Sequence, residues 1–250
     1  MLSIFKSATV RFPIAEILHT DMHAHILPGI DDGADNVETS IALIRGLRTL
    51  GYKRFIATPH IISDLHPNTK ETIESAFHKL KQALLAEQMD VDIDYAAEYM
   101  MDEMFEGLME QGPLLKLAGD YVLVETMFMA EPPNLSTVLF DMQTAGYKPV
   151  VAHPERYHFV FNKPAKAERM KDRGALLQIN ALSLTGYYGK HEKHTAIQLL
   201  EAGLVDFIGT DLHHERHLKV LTNFVIDRKV ADLLEKTAFK NKSLKTVLNE

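Results

Sequence analysis

Two apolar periods alternate along the chain. Between Asn36 and Leu50, the residues Val37, Ile41, Ile44 and Leu47 fall at helical spacing, Gly51 follows, and then comes the short apolar run YKRFIATPH (52–60). The same order returns three times. Leu135–Ala145 ends at Gly146 before YKPVVAHPE, Ala165–Arg173 at Gly174 before ALLQIN, and His191–Ala202 at Gly203 before LVDFIGTD. A glycine just past the last helical turn supplies the left-handed residue that stops a helix. The nearly continuous apolar runs that follow predict strands covered on both faces. ILHTDMH (17–23), VDIDYAAEY (91–99) and YVLVET (121–126) bring the predicted strands to seven. Thr69–Glu87 is the clearest helix, with Ile73, Phe77, Leu80 and Leu84 on one face, and MMDEMFEGLMEQG (100–112) is a weaker one. The stretch from Leu218 reads as helix to nearly the C-terminus. Alternating βα units without a Pro-, Gly- or Ser-rich linker predict a single α/β domain, a barrel or a doubly wound sheet. Its expected extent is residues 19–250, behind an N-terminal extension of residues 1–18.

Composition narrows the function. A chain of 250 residues, 46% hydrophobic, can bury a large core. A net charge of −7, with acids and bases interspersed, argues against nucleic acid as a partner. The absence of cysteine removes disulfides, thiolate metal sites and every Cys-nucleophile mechanism. The first eighteen residues are interrupted by Lys6, Arg11 and Pro13 and lack the apolar core of a secretory leader. No run reaches the ~20 apolar residues of a transmembrane segment. The expectation is a soluble, cytoplasmic protein.

Histidine is plentiful, at 13 residues, and its placement is not random. The predicted strands end, in order, at His23-Ala-His25, Thr58-Pro59-His60, Glu98, Glu125, His153-Pro154-Glu155-Arg156, Asn180 and Asp211-Leu212-His213. Parallel strands of a barrel bring their C-terminal ends to one face, where such folds place their sites. Residues two apart on a strand share a side, so His23 pairs with His25 and Asp211 with His213. A lone strand-end histidine is ordinarily structural. Five histidines and three acids recurring at the same place point instead to metal. Asp32, on the loop after the first strand, brings the candidates to nine: His23, His25, Asp32, His60, Glu98, Glu125, His153, Asp211 and His213. Imidazole and carboxylate donors without sulfur suit Mn, Fe, Zn or Co, and nine of them suffice for two or three ions. The other eight histidines, His66, His214 and His217 among them, fall outside the pattern.

These motifs resemble those of the PHP (polymerase and histidinol phosphatase) superfamily. The strings DMHAHILPGIDDG, FIATPHI, AAEYMMDE, VLVET, AHPERY, LQINALSLTGYYG and IGTDLHH are similar to the bacterial manganese-dependent protein-tyrosine phosphatases of capsule and exopolysaccharide synthesis. The resemblance spans about residues 19–217. It implies a distorted seven-stranded (β/α)7 TIM-like barrel with a trinuclear centre, manganese foremost. The first ion would take His23, His25, Glu98 and Asp211, the second Glu98, Glu125 and His153, the third Asp32, His60 and His213. It favours Asp32 over Asp31 as the ligand of the DDG motif. Arg156 matches the family's phosphate-binding arginine, and Arg216 is the candidate for a second. The implied substrate is a phosphotyrosine protein, the tail of a membrane-anchored tyrosine kinase.

The expected reaction is hydrolysis of a phosphomonoester by hydroxide formed on the metal ions, without a phosphoenzyme. Arg156 and His213 are the candidate catalytic residues, with His214 a further proton donor. Tyr157, Tyr187 and Tyr188, beside or within the loops after the fifth and sixth strands, are candidate substrate contacts. The competing readings are a small-molecule phosphatase such as histidinol-phosphate phosphatase, a metal-dependent amidohydrolase, and a non-catalytic binding module.

Overall fold

The computed structural model describes residues 8–244. The chain enters through β1 (Thr9–Arg11) and α1 (Ile14–Leu18) and then runs into β2 (Thr20–Ala24). After it come α2 (Val37–Leu50), β3 (Arg54–Ala57), β4 (His60–Ile61), α3 (Lys70–Ala86), β5 (Asp92–Tyr95) and β6 (Glu98–Met100). The middle holds α4 (Phe105–Gln111), β7 (Tyr121–Glu125), α5 (Leu135–Thr144), β8 (Lys148–Ala152), α6 (Pro164–Asp172) and β9 (Leu176–Asn180). It closes with α7 (Ala181–Thr185), α8 (Lys190–Glu201), β10 (Phe207–Gly209), α9 (Glu215–Thr222), β11 (Val225–Asp227) and α10 (Arg228–Lys236).

The helices begin and end where local chemistry directs. Asn36 accepts the Thr39 N–H at the start of α2, a cap worth about 1 kcal/mol. Gly51 stops it with φ 110°, a region closed to side chains with a Cβ. Thr69 and Thr72 close a reciprocal cap at the start of α3. Ile41, Ile44 and Leu47 of α2, and Ile73, Leu80 and Leu84 of α3, are buried on the predicted faces.

The site-bearing strands pair in parallel, in the orders β2-β3-β5 and β10-β9-β8-β7-β6-β4. The ladder thus resolves into two sheets rather than one unbroken set of seven strands. Two predicted strands are each divided between the sheets, the second at Thr58-Pro59 and the third at Ala96-Ala97. Proline offers no N–H to a ladder, and the chain resumes pairing one residue later. At the other seam, the Asp211 N–H donates to the His23 carbonyl at 2.8 Å and the His25 N–H to the Leu212 carbonyl at 2.9 Å. Asp21 accepts from the Thr210 N–H and hydroxyl at 3.0 and 2.6 Å.

Two expectations are corrected. Ile17 and Leu18 lie in α1, so the first strand begins at Thr20. The continuous C-terminal helix is absent: α9 stops at Thr222, and β11 pairs antiparallel with β1 before α10 begins. Residues 245–250 of that expected helix, and 1–7 of the N-terminal extension, lie outside the described residues. The rest of the extension packs into the domain, with Ile14, Ala15 and Leu18 buried in the main core. Among the described residues no helix is long and apolar enough to cross a membrane.

Candidate metal centre

The strand ends deliver their side chains to one cleft. His23 leaves β2 and His25 follows it, both fully buried. His60 opens β4, Glu98 opens β6 and Glu125 ends β7. His153 and Asp211 sit just past β8 and β10 in left-handed conformations, with φ 34° and 51°. Such backbone costs free energy in a residue with a Cβ and concentrates at functional sites. Gly33 is required by contact: a Cβ there would lie 2.1 Å from the His25 carbonyl oxygen. That close approach, rather than a positive φ, lets the 31–33 loop fold over His25.

All nine candidates meet. They fall into four overlapping groups whose donor atoms lie within 4.8 Å of one another: His25, Asp32, His60 and His213; His23, Glu98 and His153; His23, His25 and Asp211; His60, Glu98 and Glu125. His23 Nε2 is 3.2 Å from Glu98 Oε2 and 3.4 Å from Asp211 Oδ1. His60 Nδ1 is 3.1 Å from Glu98 Oε2 and 3.0 Å from Glu125 Oε1, while its Nε2 is 3.6 Å from Asp32 Oδ1. His213 Nε2 lies 3.4 Å from the same Asp32 oxygen. Donors that share one cation at about 2.0–2.2 Å stand roughly 3–3.5 Å apart, so these spacings fit bound metal. Three of the donor atoms also lack a hydrogen bond. His60 Nδ1, Glu98 Oε2 and Glu125 Oε1 are buried without a hydrogen-bond partner, an expensive condition that a cation relieves.

Proton affinities follow from the crowding. Burial opposes charge on His23, His25, His60, Glu98 and Asp211, but neighbouring carboxylates and imidazoles offset it. Burial and the His25 ring work against a charge on His60, yet Glu98 and Glu125 push it up to about 10. Burial works against His25 as well, and Asp31 with Asp211 holds it well above the ordinary histidine value. Despite burial, His23 and His60 hold Glu98 well below the usual carboxylate range.

A cleft of about 530 Å³ opens over the group. Arg156 lines it, with Nη1 2.9 Å from Asp211 Oδ2 and the guanidinium packed over Phe128 at 4.7 Å and Tyr188 at 4.5 Å. Arg216 does not reach the cleft; it is exposed and lies over the Tyr187 ring. Tyr157, a predicted substrate contact, is instead buried, its hydroxyl donating to the Ala152 carbonyl.

A family described as "Capsular polysaccharide synthesis, CpsB/CapC" matches residues 19–242. The chain belongs to this family. The tyrosine-protein phosphatase YwqE of Bacillus subtilis is 32% identical over 195 residues, 78% of this chain and 77% of that protein. The putative tyrosine-protein phosphatase CapC of Staphylococcus aureus is 27% identical over 233 residues, covering 91% and 90%. A structure from work on YwqE and on CpsB of Streptococcus pneumoniae, described there as unique metal-dependent tyrosine phosphatases, matches with a TM-score of 0.75. It is 29% identical and covers 90% of each chain.

In this CpsB/CapC chain the nine candidates are backed by further polar residues, among them Asn180, which the sequence reading set at the same face, and Gln178, which it left aside. Asp31 Oδ2 lies 2.8 Å from His25 Nδ1 and accepts the His60 N–H, so it fixes the ring of one candidate and the backbone of another. Gln178 Oε1 stands 2.8 Å from His23 Nδ1, and its amide donates to Asn180, which in turn donates to Asp211 Oδ2 at 2.7 Å. Gln178 and Asn180 are two apart on β9, the same alternation that pairs His23 with His25, so their shared face was legible. His66, His214 and His217 also line the cleft. His217, lowered to about 4 by burial and the neighbouring His214, packs under the turn with its Nδ1 3.2 Å from the Asp211 carbonyl oxygen and 3.3 Å from the His213 backbone nitrogen, the ring tautomer deciding which of the two it bonds.

Proposed function

We propose that this protein is a metal-dependent tyrosine-protein phosphatase that hydrolyses phosphotyrosine on a protein of capsule or exopolysaccharide synthesis. The tail of a membrane-anchored tyrosine kinase, met on the cytoplasmic side, is the inferred substrate. The observation that carries the reading is the convergence of nine imidazole and carboxylate donors, three of them with orphaned buried atoms, beside one partly accessible arginine. We read the two parallel sheets as one distorted seven-stranded barrel, supported by the backbone bonds that cross from β2 to the end of β10. Residues 19–250 form the inferred catalytic unit and 1–18 its extension.

His23, His25, Glu98 and Asp211 would hold one ion, Glu98, Glu125 and His153 a second, and Asp32, His60 and His213 a third, with manganese favoured by the resemblance. Bound divalent ions supply a nucleophile from water near neutral pH and offset phosphate charge. The chain's own residues do the rest. Asp211 holds Arg156 by one N–H, leaving its other donors for phosphate oxygens in the forked geometry that lysine lacks. Phe128 and Tyr188 pack their rings against the guanidinium, which restrains it beside Asp211. His213 serves catalysis by holding metal. His214 lines the cleft outside all four donor groups and is our candidate for the proton donor. A phenolate leaving group, with a pKa of about 10, makes only a modest demand on it.

The test is hydrolysis of a phosphotyrosine peptide by metal-stripped protein with Mn²⁺ added back. Activity should return in the wild type and stay absent in His153→Ala. No hydrolysis under any added divalent metal would overturn the assignment.

A further inference from the structure

The polar floor of the cleft carries an apolar rim. Leu65 and Met127 line the cleft, yet are 73% and 67% exposed, in a chain whose large apolar side chains are mostly buried. Exposed apolar groups lining one site are expected where they meet a ligand. Neither residue is on a loose loop. Leu65 stands at the tip of a turn closed by reciprocal backbone bonds between Ile62 and His66, both 3.0 Å. Asp102 ties that turn down by accepting from the Ser63 N–H and hydroxyl. Beneath it, the His66 ring stacks on His60 at 5.5 Å, so the turn is keyed to the candidate metal group. Met127 lies between two anchored neighbours. The Thr126 N–H donates to the buried Tyr157 hydroxyl at 3.2 Å, and the Phe128 carbonyl accepts the His158 N–H at 2.7 Å. With the backbone fixed on either side, only side-chain freedom is left to lose when a ligand covers them.

The occupant follows from the order of the layers. Arg156 and the donor group select an anion at the floor. The rim then covers whatever is attached to that anion. We propose that Leu65 and Met127 form an apolar clamp that seats the aromatic ring of the phosphorylated side chain. This inference rests on the phosphatase reading and names its specificity determinant: a flat apolar group next to the phosphate, rather than a polar alcohol.

Phenylphosphonate and methylphosphonate share an anionic head and differ in the ring. Their dissociation constants for the Mn²⁺-loaded protein, measured by calorimetry, test the clamp without any hydrolysis. The wild type should bind the phenyl compound about tenfold more tightly, as expected for partial burial of a ring. The double variant Leu65→Gln, Met127→Gln should bring the two close to parity, and Leu65→Met with Met127→Leu should keep the preference. A wild type without the preference would overturn the proposal, as would a Gln variant that retains it or loses both ligands equally. The peptide hydrolysis assay decides the catalytic reading separately, so failure of one is distinguishable from failure of the other.

Discussion

Asp31 and Asp32 are neighbours with opposite placements. The Asp31 side chain is fully buried against His25, while that of Asp32 is 59% exposed at the cleft, within reach of His60 and His213. Removing Asp31 should therefore weaken metal binding through His25 rather than delete a ligand. Asp31→Asn is expected to lower Mn²⁺ affinity by 10- to 100-fold, the usual loss when a ligand's supporting carboxylate goes. Activity should recover at high Mn²⁺, whereas Asp32→Ala should not recover fully; titration of activity against Mn²⁺ reads both. Arg156→Lys keeps the charge and loses the fork, so kcat/KM for a phosphotyrosine peptide should fall about 100-fold with metal content unchanged. At this scale much was legible in the sequence, because strand alternation is strict and a metal needs clustered donors. His217 was not, since its role is to brace a turn whose left-handed Asp211 leaves no mark in residue type. Arg216 stands on α9 just after His214, where its guanidinium lies over the Tyr187 ring.

Among the elements, the seam between β2 and the end of β10 carries a buried carboxylate beside its backbone bonds. Asp21 is fully buried, and that burial pushes it up to about 6 although the Thr210 donors pull the other way. The folded protein thus holds this proton up to about pH 6, while the unfolded chain loses it near 3.8. Stability falls as pH rises through that window, and the full cost of the charge is present above it. Asp21→Asn removes this dependence. The melting temperature of the variant relative to wild type should rise between pH 4 and pH 7; a constant difference would sink the idea. The helix–glycine–strand order revealed the βα units because both signals are local. The β1–β11 pair was hidden for the opposite reason: each strand has three residues, and the partners lie more than 200 residues apart. Leu218 and Leu221 before the break, and Val230 and Leu234 after it, keep helical spacing on both sides, so the pattern read through a strand that only long-range pairing explains.

On the scale of the molecule, the candidate ligands come from both parallel sheets and from most of the βα units, so metal binding and folding are linked. An ion held by β2, β6 and the turn after β10 binds only when those elements are assembled, and a native-only ligand raises stability with its concentration. The linkage includes protons. His25 and His60 have pKa values raised by their carboxylate neighbours, about 10 for His60. Charge on these rings stabilises the fold fully below the ordinary histidine value near 6.5, and the contribution fades only as pH rises through the folded value. A metal needs the neutral imidazole, so it must displace those protons, and its affinity should grow with pH across the same window. The rise in melting temperature on adding saturating Mn²⁺ should accordingly be larger at pH 8 than at pH 6.5. Calorimetry in buffers of different ionisation enthalpy should show net proton release at both values. A pH-independent shift without proton release would mean that the imidazoles are neutral before the ion arrives, and the charge balance derived for the centre would fall with it.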